Sequence, residues 1–569
     1  MFDFDGKTDK QKVDYITRNH THLSAKRRSW EPLWELENKL FRPRRFDLLR
    51  HNLPGKQYGQ RLYDGRMANN LNKHANGLMG NMFNRAVPWL SFSVAKQATM
   101  KNDKVKTYLQ ACEEQILFSF GRSTFYDEAP SSVKDGDCIG TGVMVPKDDL
   151  VNGRVAYQSI HPGESYIEND EYGNPAVYHR KFKMTAINAH AKWGDKLPQA
   201  IVRKVTSEDG KQDPFSENEY LYAVYKNKNF VAGSFRATEK LYKVFFVSIS
   251  KDPNKSQLLS EEGQDFFVVT WRPGRETNQP YGMSICGDAI TEALLMNRLG
   301  KKALQAVHKD VDPAIIASAG LKNRIRSKAG GRTWAKTGED AKMLDTRTGR
   351  ALIAEQWLDQ LNNSLEDKFA MRLLEALSNP DHPQRTAYEV SQVKAELAVL
   401  AGGIGSLESE FLTSATAVQW SFETRAGRMP DVPDILLEGQ DLSRKSEFEK
   451  PEQVDVVYLG PLSQLQRSTL QGRGILEGLA IAKEIASVWP NAMVKIKEME
   501  VMEDAMIAQG WKQKHFKSDE ETNEILQAMA QAAEQQTQLD NAEQMAGIGD
   551  TINQPIESEG PLALLGAVA

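Results

Sequence analysis

Apolar residues Ile353, Trp357, Leu361, Leu365, Phe369, Leu373 and Leu377 recur at every fourth position along one stretch of the chain. A helix turns about 100° per residue, so such a row drifts about 40° at each step. Over six steps it winds roughly two-thirds of the way around the helix. No single flat neighbour can cover a stripe of that shape. A helix set obliquely between two neighbours in a ring can. The row predicts one long helix over residues 352–377, and it demands a fold that gives this helix company on more than one side.

The segments flanking this helix are equally specific. Downstream, Ser378-Asn379-Pro380-Asp381-His382-Pro383-Gln384-Arg385 is a polar loop with two prolines, which limit its conformations. Thr386-Ala387-Tyr388-Glu389 then fits a capping box. The helix it opens carries Val390, Val393, Leu397, Leu400, Ile404, Leu407 and Phe411, a seam spaced alternately three and four for close helix packing. Gly402, Gly403 and Gly405 interrupt that seam. Each costs a helix about 1 kcal/mol against alanine, so they predict a kink, with simple close packing as the other reading. Upstream, residues 288–308 predict an amphipathic helix. Between the two helices, Pro313, Gly320, Gly330 and Gly331 break residues 310–344 into a small lobe, with 314–317 as a strand.

The opening residues read as helices. Residues 10–40 bear an apolar face of Trp30, Leu33, Trp34 and Leu36, broken at Phe41-Arg42-Pro43. Residues 69–83 carry Leu71, Ala75, Leu78, Met79 and Met82 at helical spacing. Pro88 ends that run, and Trp89-Leu90-Ser91-Phe92 alternates as a short strand. From 136 to 270 the texture changes to short β-type runs at 142–145, 154–160, 176–182, 220–225, 241–248 and 266–271, separated by turn residues. This predicts an α+β, mainly helical chain with antiparallel strands. After a Pro-rich connection at 429–434, residues 454–459 read as a strand, and 464–488 and 491–509 as helices. Residues 541–569 lack periodicity and are expected to be poorly ordered or dependent on a partner.

Charge is uneven although the 569 residues sum to only −4. Such a chain is no polycation, so contact with nucleic acid has to come from local patches. The first 110 residues hold 21 Lys/Arg against 10 Asp/Glu, and residues 301–350 hold 12 against 5. Lys322, Arg324, Arg326, Lys328, Arg332 and Lys336 run without an acid among them. A solvated face and a docking surface both account for that run. Residues 518–569 contain 10 acids and no Lys or Arg, a composition that suits solvent or a basic protein better than DNA. Cys112, Cys138 and Cys286 have no metal-ligand spacing and read as reduced, buried thiols. The polar N-terminus and the lack of a long apolar run predict a soluble protein made in the cytoplasm.

Catalytic motifs are missing. No phosphate-binding loop, His-Glu-x-x-His or Gly-x-Ser-x-Gly occurs. His20 and His22 are two apart, open to a metal or to solvent. Glu128, Asp135 and Asp137 are the one acidic group suggestive of a two-metal nuclease. The reading favoured is a structural protein with no cofactor, no catalytic residue and no metal.

Several stretches, in their order, resemble the podovirus head-to-tail connector (portal) family. They are the Trp30/Trp34 helix ending at Phe41-Arg42-Pro43; Asn70-Leu71 through Leu78-Met79-Gly80 to Pro88-Trp89-Leu90-Ser91-Phe92; Pro280-Tyr281-Gly282-Met283-Ser284; Pro383 through Val390; and Leu459-Gly460-Pro461-Leu462-Ser463-Gln464-Leu465-Gln466-Arg467. Cys286 departs from similar proteins, which often continue with proline there. The resemblance spans residues 10–512. It implies a portal-type fold that forms a dodecameric ring around a DNA channel at one capsid vertex of the virion. Residues 1–285 and 413–470 would form an α/β wing, 286–309 and 351–378 the two-helix stem, and 310–350 a small clip lobe. Residues 379–412 would be the tunnel loop and long kinked tunnel helix, 471–512 a helical crown, and 513–569 a C-terminal barrel or acidic tail. Asn379, Asp381, His382, Gln384 and Arg385 would face the channel, and the 322–336 basic run would dock motor and tail. The implied partners are further copies of the chain, the major capsid protein, scaffolding protein, terminase large subunit, tail adaptor and tube proteins, internal core proteins, and double-stranded DNA held without sequence specificity. Beside the portal reading stands another virion structural role, as an internal core protein or tail adaptor.

Overall fold

The computed structural model describes residues 3–45, 61–94, 102–206, 213–231, 236–250, 255–276, 279–311, 315–321, 341–343, 350–378, 405–437 and 454–467, with a few isolated positions besides. Helix α1 (Asp9–Arg27) starts on a capping box, with Thr8 Oγ1 accepting from Gln11 N and Gln11 Oε1 accepting from Thr8 N. The helical run expected over 10–40 breaks after Arg27, and α2 (Glu31–Phe41) restarts it. The Arg27 guanidinium is buried there, donating to the carbonyls of Gly163 at 3.0 Å and Ser165 at 2.9 Å. It also lies 3.8 Å over the Tyr166 ring. Next come α3 (Arg66–Met82), β1 (Leu90–Val94), α4 (Asp103–Arg122) and α5 (Phe125–Ile139). Gly140 ends α5 in the left-handed region at φ 75°, and a Cβ there would lie 2.0 Å from the Gly282 carbonyl oxygen.

The β-rich part then runs β2 (Gly142–Asp149), β3 (Arg154–Ser159), β4 (Ser165–Asn169), β5 (Pro175–Thr185), α6 (Ala186–Trp193), α7 (Gln199–Thr206), β6 (Glu217–Lys226), β7 (Tyr242–Ser248), β8 (Gln257–Gln264) and β9 (Val269–Trp271). Strands β4 to β8 form an antiparallel meander in chain order, and β3-β2-β9 form a second sheet. Both faces of the meander are covered. Leu221, Ala223 and Tyr225 of β6 meet Phe4, Val13 and Ile16, while Tyr220, Tyr222 and Val224 join the core that holds Trp193. That double burial explains why β6 reads as a continuous apolar run and not as an alternation.

The helical part follows: a single turn α8 (Ile285–Asp288), α9 (Ile290–Val311), β10 (Ile315–Ala317), β11 (Ala341–Met343), α10 (Arg350–Lys368) and α11 (Met371–Ser378). Strands β10 and β11 pair antiparallel, and α9 packs on α10. A π-helical turn (Leu407–Leu412) leads without a break into α12 (Thr413–Arg425). Then come α13 (Asp434–Leu437), β12 (Val454–Tyr458) and α14 (Pro461–Arg467). Strand β12 pairs antiparallel with β1, Leu90 opposite Tyr458 and Val94 opposite Val454. The two chain regions thereby share one core, with Trp89, Phe120, Phe125, Phe411 and Trp420 among its members. The fold is α+β, as expected.

One prediction is corrected. Residues 352–377, and the stem segment 351–378 with them, are not one helix. They are α10 and α11, divided at Phe369-Ala370, where Ala370 has φ 46°. The Phe369 carbonyl is taken by His74 Nδ1 at 2.8 Å. Ala370 N turns back to the Asp367 carbonyl at 3.0 Å, a tighter turn that ends the helix. The break lets Leu365, Phe369 and Leu373 all enter cores of the body.

Candidate functional site

The surface that stands out is the α9–α10 pair. Its near end is well anchored. Lys368 Nζ donates to Glu292 Oε1 at 2.6 Å and to the Asp288 carbonyl at 2.7 Å. Asn297 Oδ1 accepts from Tyr63 N at 2.9 Å, and Arg66 pairs with Asp359 at 2.9 Å. Ala289, Ala293 and Met296 are fully buried along one face of the chain entering α9. At about 100° per residue, Leu304, Val307 and Val311 continue that same face. Beyond Gly300, however, every described residue of α9 is exposed or half-exposed, with Val311 79% exposed.

Helix α10 adds a second flank. Leu358 and Leu365 point inward. Ile353 and Trp357, one turn apart, lie on the side of the helix, and Trp357 is 58% exposed. Leu295 sits on the face of α9 opposite Leu304, Val307 and Val311, and is also exposed. Large apolar side chains therefore emerge on more than one side of the pair. Monomeric surfaces scatter such residues singly, and a grouped arrangement marks an interaction surface. The winding row read from the sequence divides accordingly: Leu365, Phe369 and Leu373 are buried in the protein's own core, while Ile353 and Trp357 are exposed.

The anchor beneath the pair is a buried polar cluster. His74 on α3 sits between the Phe369 carbonyl and Asp137 on α5, its Nε2 3.5 Å from Asp137 Oδ1. Burial favours a neutral ring, but the Asp137 carboxylate holds the imidazolium above its ordinary range. Glu37 on α2 accepts from Ser284 Oγ at 2.7 Å, and burial pushes its carboxyl up to about 8. Among the described residues, Glu37 Oε2, Asn38 Nδ2 and Asp137 Oδ2 have no hydrogen-bond partner. Cys138 donates to Asn38 Oδ1 at 3.6 Å and stands close enough to Cys286 to help raise that thiol, which burial already raises. Cys112, Cys138 and Cys286 are all buried and free. Sequence reasoning passed over His74 and Ala370, because their importance lies in a contact 295 residues apart.

A second anchor seats the π turn. Trp271 Nε1 donates to Ser406 Oγ at 3.0 Å, Ser463 Oγ to Glu408 Oε1 at 2.5 Å, and Arg272 Nη2 to Glu410 Oε1 at 2.9 Å. The π turn and the residue before it thus meet two separate segments, Trp271-Arg272 and the helix holding Ser463. Gly405 opens this helix, and a Cβ there would meet nothing within 4 Å. Gly402, Gly403, the loop residues Asn379, Asp381, His382, Gln384 and Arg385, and the basic residues Lys322, Arg324, Arg326, Lys328, Arg332 and Lys336 lie outside the described residues. Within the basic run, Trp334 is described and is 85% exposed.

The residues considered for metal chemistry each have another occupation. Glu128 Oε2 accepts from Ser159 N at 2.8 Å, Asp135 pairs with Arg42, and Asp137 faces His74. His20 packs on Tyr166 and His179, and burial lowers it to about 4. His22, two residues on, lies on the exposed side of the same helix. Among the described residues no group of three or more His, Cys, Asp or Glu could hold a metal ion, and no helix is long and apolar enough to cross a membrane.

No curated protein matches the chain. A family model does, over residues 14–546, that is, nearly end to end, taking in the anchored helix pair, the β-rich part and the strand that closes the body. By that match the chain belongs to the bacteriophage head to tail connecting protein family, components of the junction between capsid and tail.

Proposed function

We propose that this connector is the portal of a short-tailed phage: a ring of about twelve copies around a channel that conducts DNA during packaging and ejection. The observation that carries the reading is the α9–α10 pair, rooted in its own body at one end and apolar on different flanks at the other. A ring repeats one heterologous contact, so each copy must offer two different complementary surfaces. Leu304, Val307 and Val311 would meet one neighbour, and Ile353 with Trp357 the other. The lobe at the tip of the pair, where β10 pairs with β11, would dock the packaging motor and then the tail. The exposed Trp334, set among basic residues, suits such a contact. The loop at 379–385 would border the channel. Its mixed charge suits passage, since strong phosphate attraction would slow a moving duplex. Scaffolding, capsid and internal core proteins would bind the outer body.

Native mass spectrometry of the purified full chain, with negative-stain imaging, tests this. The expected result is one large closed species with a central hole. A stable monomer across salt and concentration would overturn the proposal.

A further inference from the structure

Between the two sheets lies a cavity of about 250 Å³ that the ring reading does not use. Strand β2 contributes Lys147, β5 contributes Arg180 and Phe182, and α6 contributes Lys192. Phe246 on β7 is part of its wall. The cavity is several times the ~30 Å³ share of one water and near the low end of small-molecule clefts, about 300–1,000 Å³.

Its cations, Lys147, Arg180, Lys183 and Lys192, are arranged unevenly. Arg180 is committed: Nε donates to Glu164 Oε2 at 2.8 Å and Nη1 to Gln158 Oε1 at 3.0 Å. Lys192 Nζ lies 3.9 Å from the centre of the Phe246 ring, held by the ring face. Among the described residues neither Lys147 nor Lys192 has a carboxylate within ion-pair distance. Glu262 attracts both through space, and also accepts from Ser260 Oγ at 3.2 Å. Both lysines remain open to solvent, and so reachable by a ligand. Burial by the surroundings, with repulsion from Lys147, brings Lys192 down to about 8. Burial, with repulsion from Arg180, also lowers Lys147.

We infer that this cavity binds a small phosphate monoester, its phosphate between Lys147 and Lys192 and its apolar body against Phe182 and Phe246. Two ammonium groups match a group that carries close to two negative charges at neutral pH, which a carboxylate does not. The apolar walls suit a ligand that is more than a bare ion. A concave seat between two sheets admits a free monoester more readily than the continuous backbone of a duplex.

The test uses the full chain with its lysines reductively methylated with carbon-13, and Lys192 assigned through Lys192→Arg. Phenyl phosphate is the probe, with phenylacetate, a short DNA duplex and sodium chloride at matched ionic strength as competitors and controls. Phenyl phosphate is expected to raise the Lys192 titration midpoint by about one unit, since the protonated form binds about tenfold more tightly. Lys147→Met should weaken binding about tenfold and move the free Lys192 midpoint up, with an unchanged melting temperature. Lys228→Met, on the exposed surface, should do neither. If Lys192 responds to phenyl phosphate no more than to chloride, the site is overturned. Equal response to phenylacetate overturns the phosphate class, and stronger competition by the duplex overturns a free monoester as the source.

Discussion

Strand β6 and helix α10 both carry many apolar residues, yet their fates differ. Strand β6 lies between two layers of its own chain, with Tyr220 and Leu221 fully buried on opposite faces. Helix α10 is covered along one side only, at Leu358 and Leu365, while Ile353 and Trp357 lie open. The meander is complete within one chain. The helix pair buries what fixes its root and leaves the remainder uncovered. Where apolar surface is left over, and on how many sides, says more about assembly than how much of it the chain contains.

The largest effect is expected from Ile353→Asp combined with Trp357→Asp, which should abolish the large species in native mass spectrometry while the far-ultraviolet circular dichroism of the body persists. A ring that survives both charges would dissolve the distinction drawn here. Phe245→Ala, inside the meander, should cost about 3–5 kcal/mol in denaturant unfolding, since it opens a cavity in a closed core. It should leave the contact between copies intact wherever the chain is folded.

The buried cluster makes the root of the helix pair sensitive to pH. Glu37 has its folded-state value raised to about 8 from an ordinary 4.5. Its contribution to stability is therefore fully present below about pH 4.5 and is lost as pH rises through about 8. Glu37→Gln should remove that decline, so that chemical unfolding shows the variant gaining on the parent across this window, by an amount on the order of a few kcal/mol. An identical pH profile for both would mean that Glu37 is not buried at the root. The smallest effect belongs to the break itself: Ala370→Gly should stabilise the chain by about 0.5–1 kcal/mol in thermal or denaturant unfolding, because glycine takes a positive φ without strain. Loss of stability instead would mean that α10 and α11 are joined in solution.

These same regions mark what the sequence could reveal. The apolar runs of β6 and β7, and the amphipathic α9, were legible because periodicity reports burial directly. Strand β8 was not. Its residues Gln257–Gln264 include two glutamates and a glycine, which an edge strand tolerates because one side meets solvent. Helix α5 was hidden by Pro130 within it and by Asp135 and Asp137, which the sequence offers as a catalytic pair and the fold uses as partners of Arg42 and His74. The division at Ala370 has no local signature, since it depends on a histidine far away in the chain. The exposed flanks of the helix pair were half legible: the winding row announced more than one neighbour, but not which of its members the body itself would take. The cavity at Lys147 and Lys192 left no trace in the sequence, because five separate strands and a helix build it.

The pairing of β1 with β12 sets an order of events on the ribosome. The strand 90–94 emerges more than three hundred residues before 454–458, its partner. Throughout that interval a growing chain displays an unmatched strand edge, and later the oily flanks of the helix pair as well. Neighbouring half-made chains on one messenger thus present surfaces to each other before either has its clasp. Fastening by the late strand waits until residues 454–458 have been made, and whatever holds the nascent chains apart until then decides how many fold correctly.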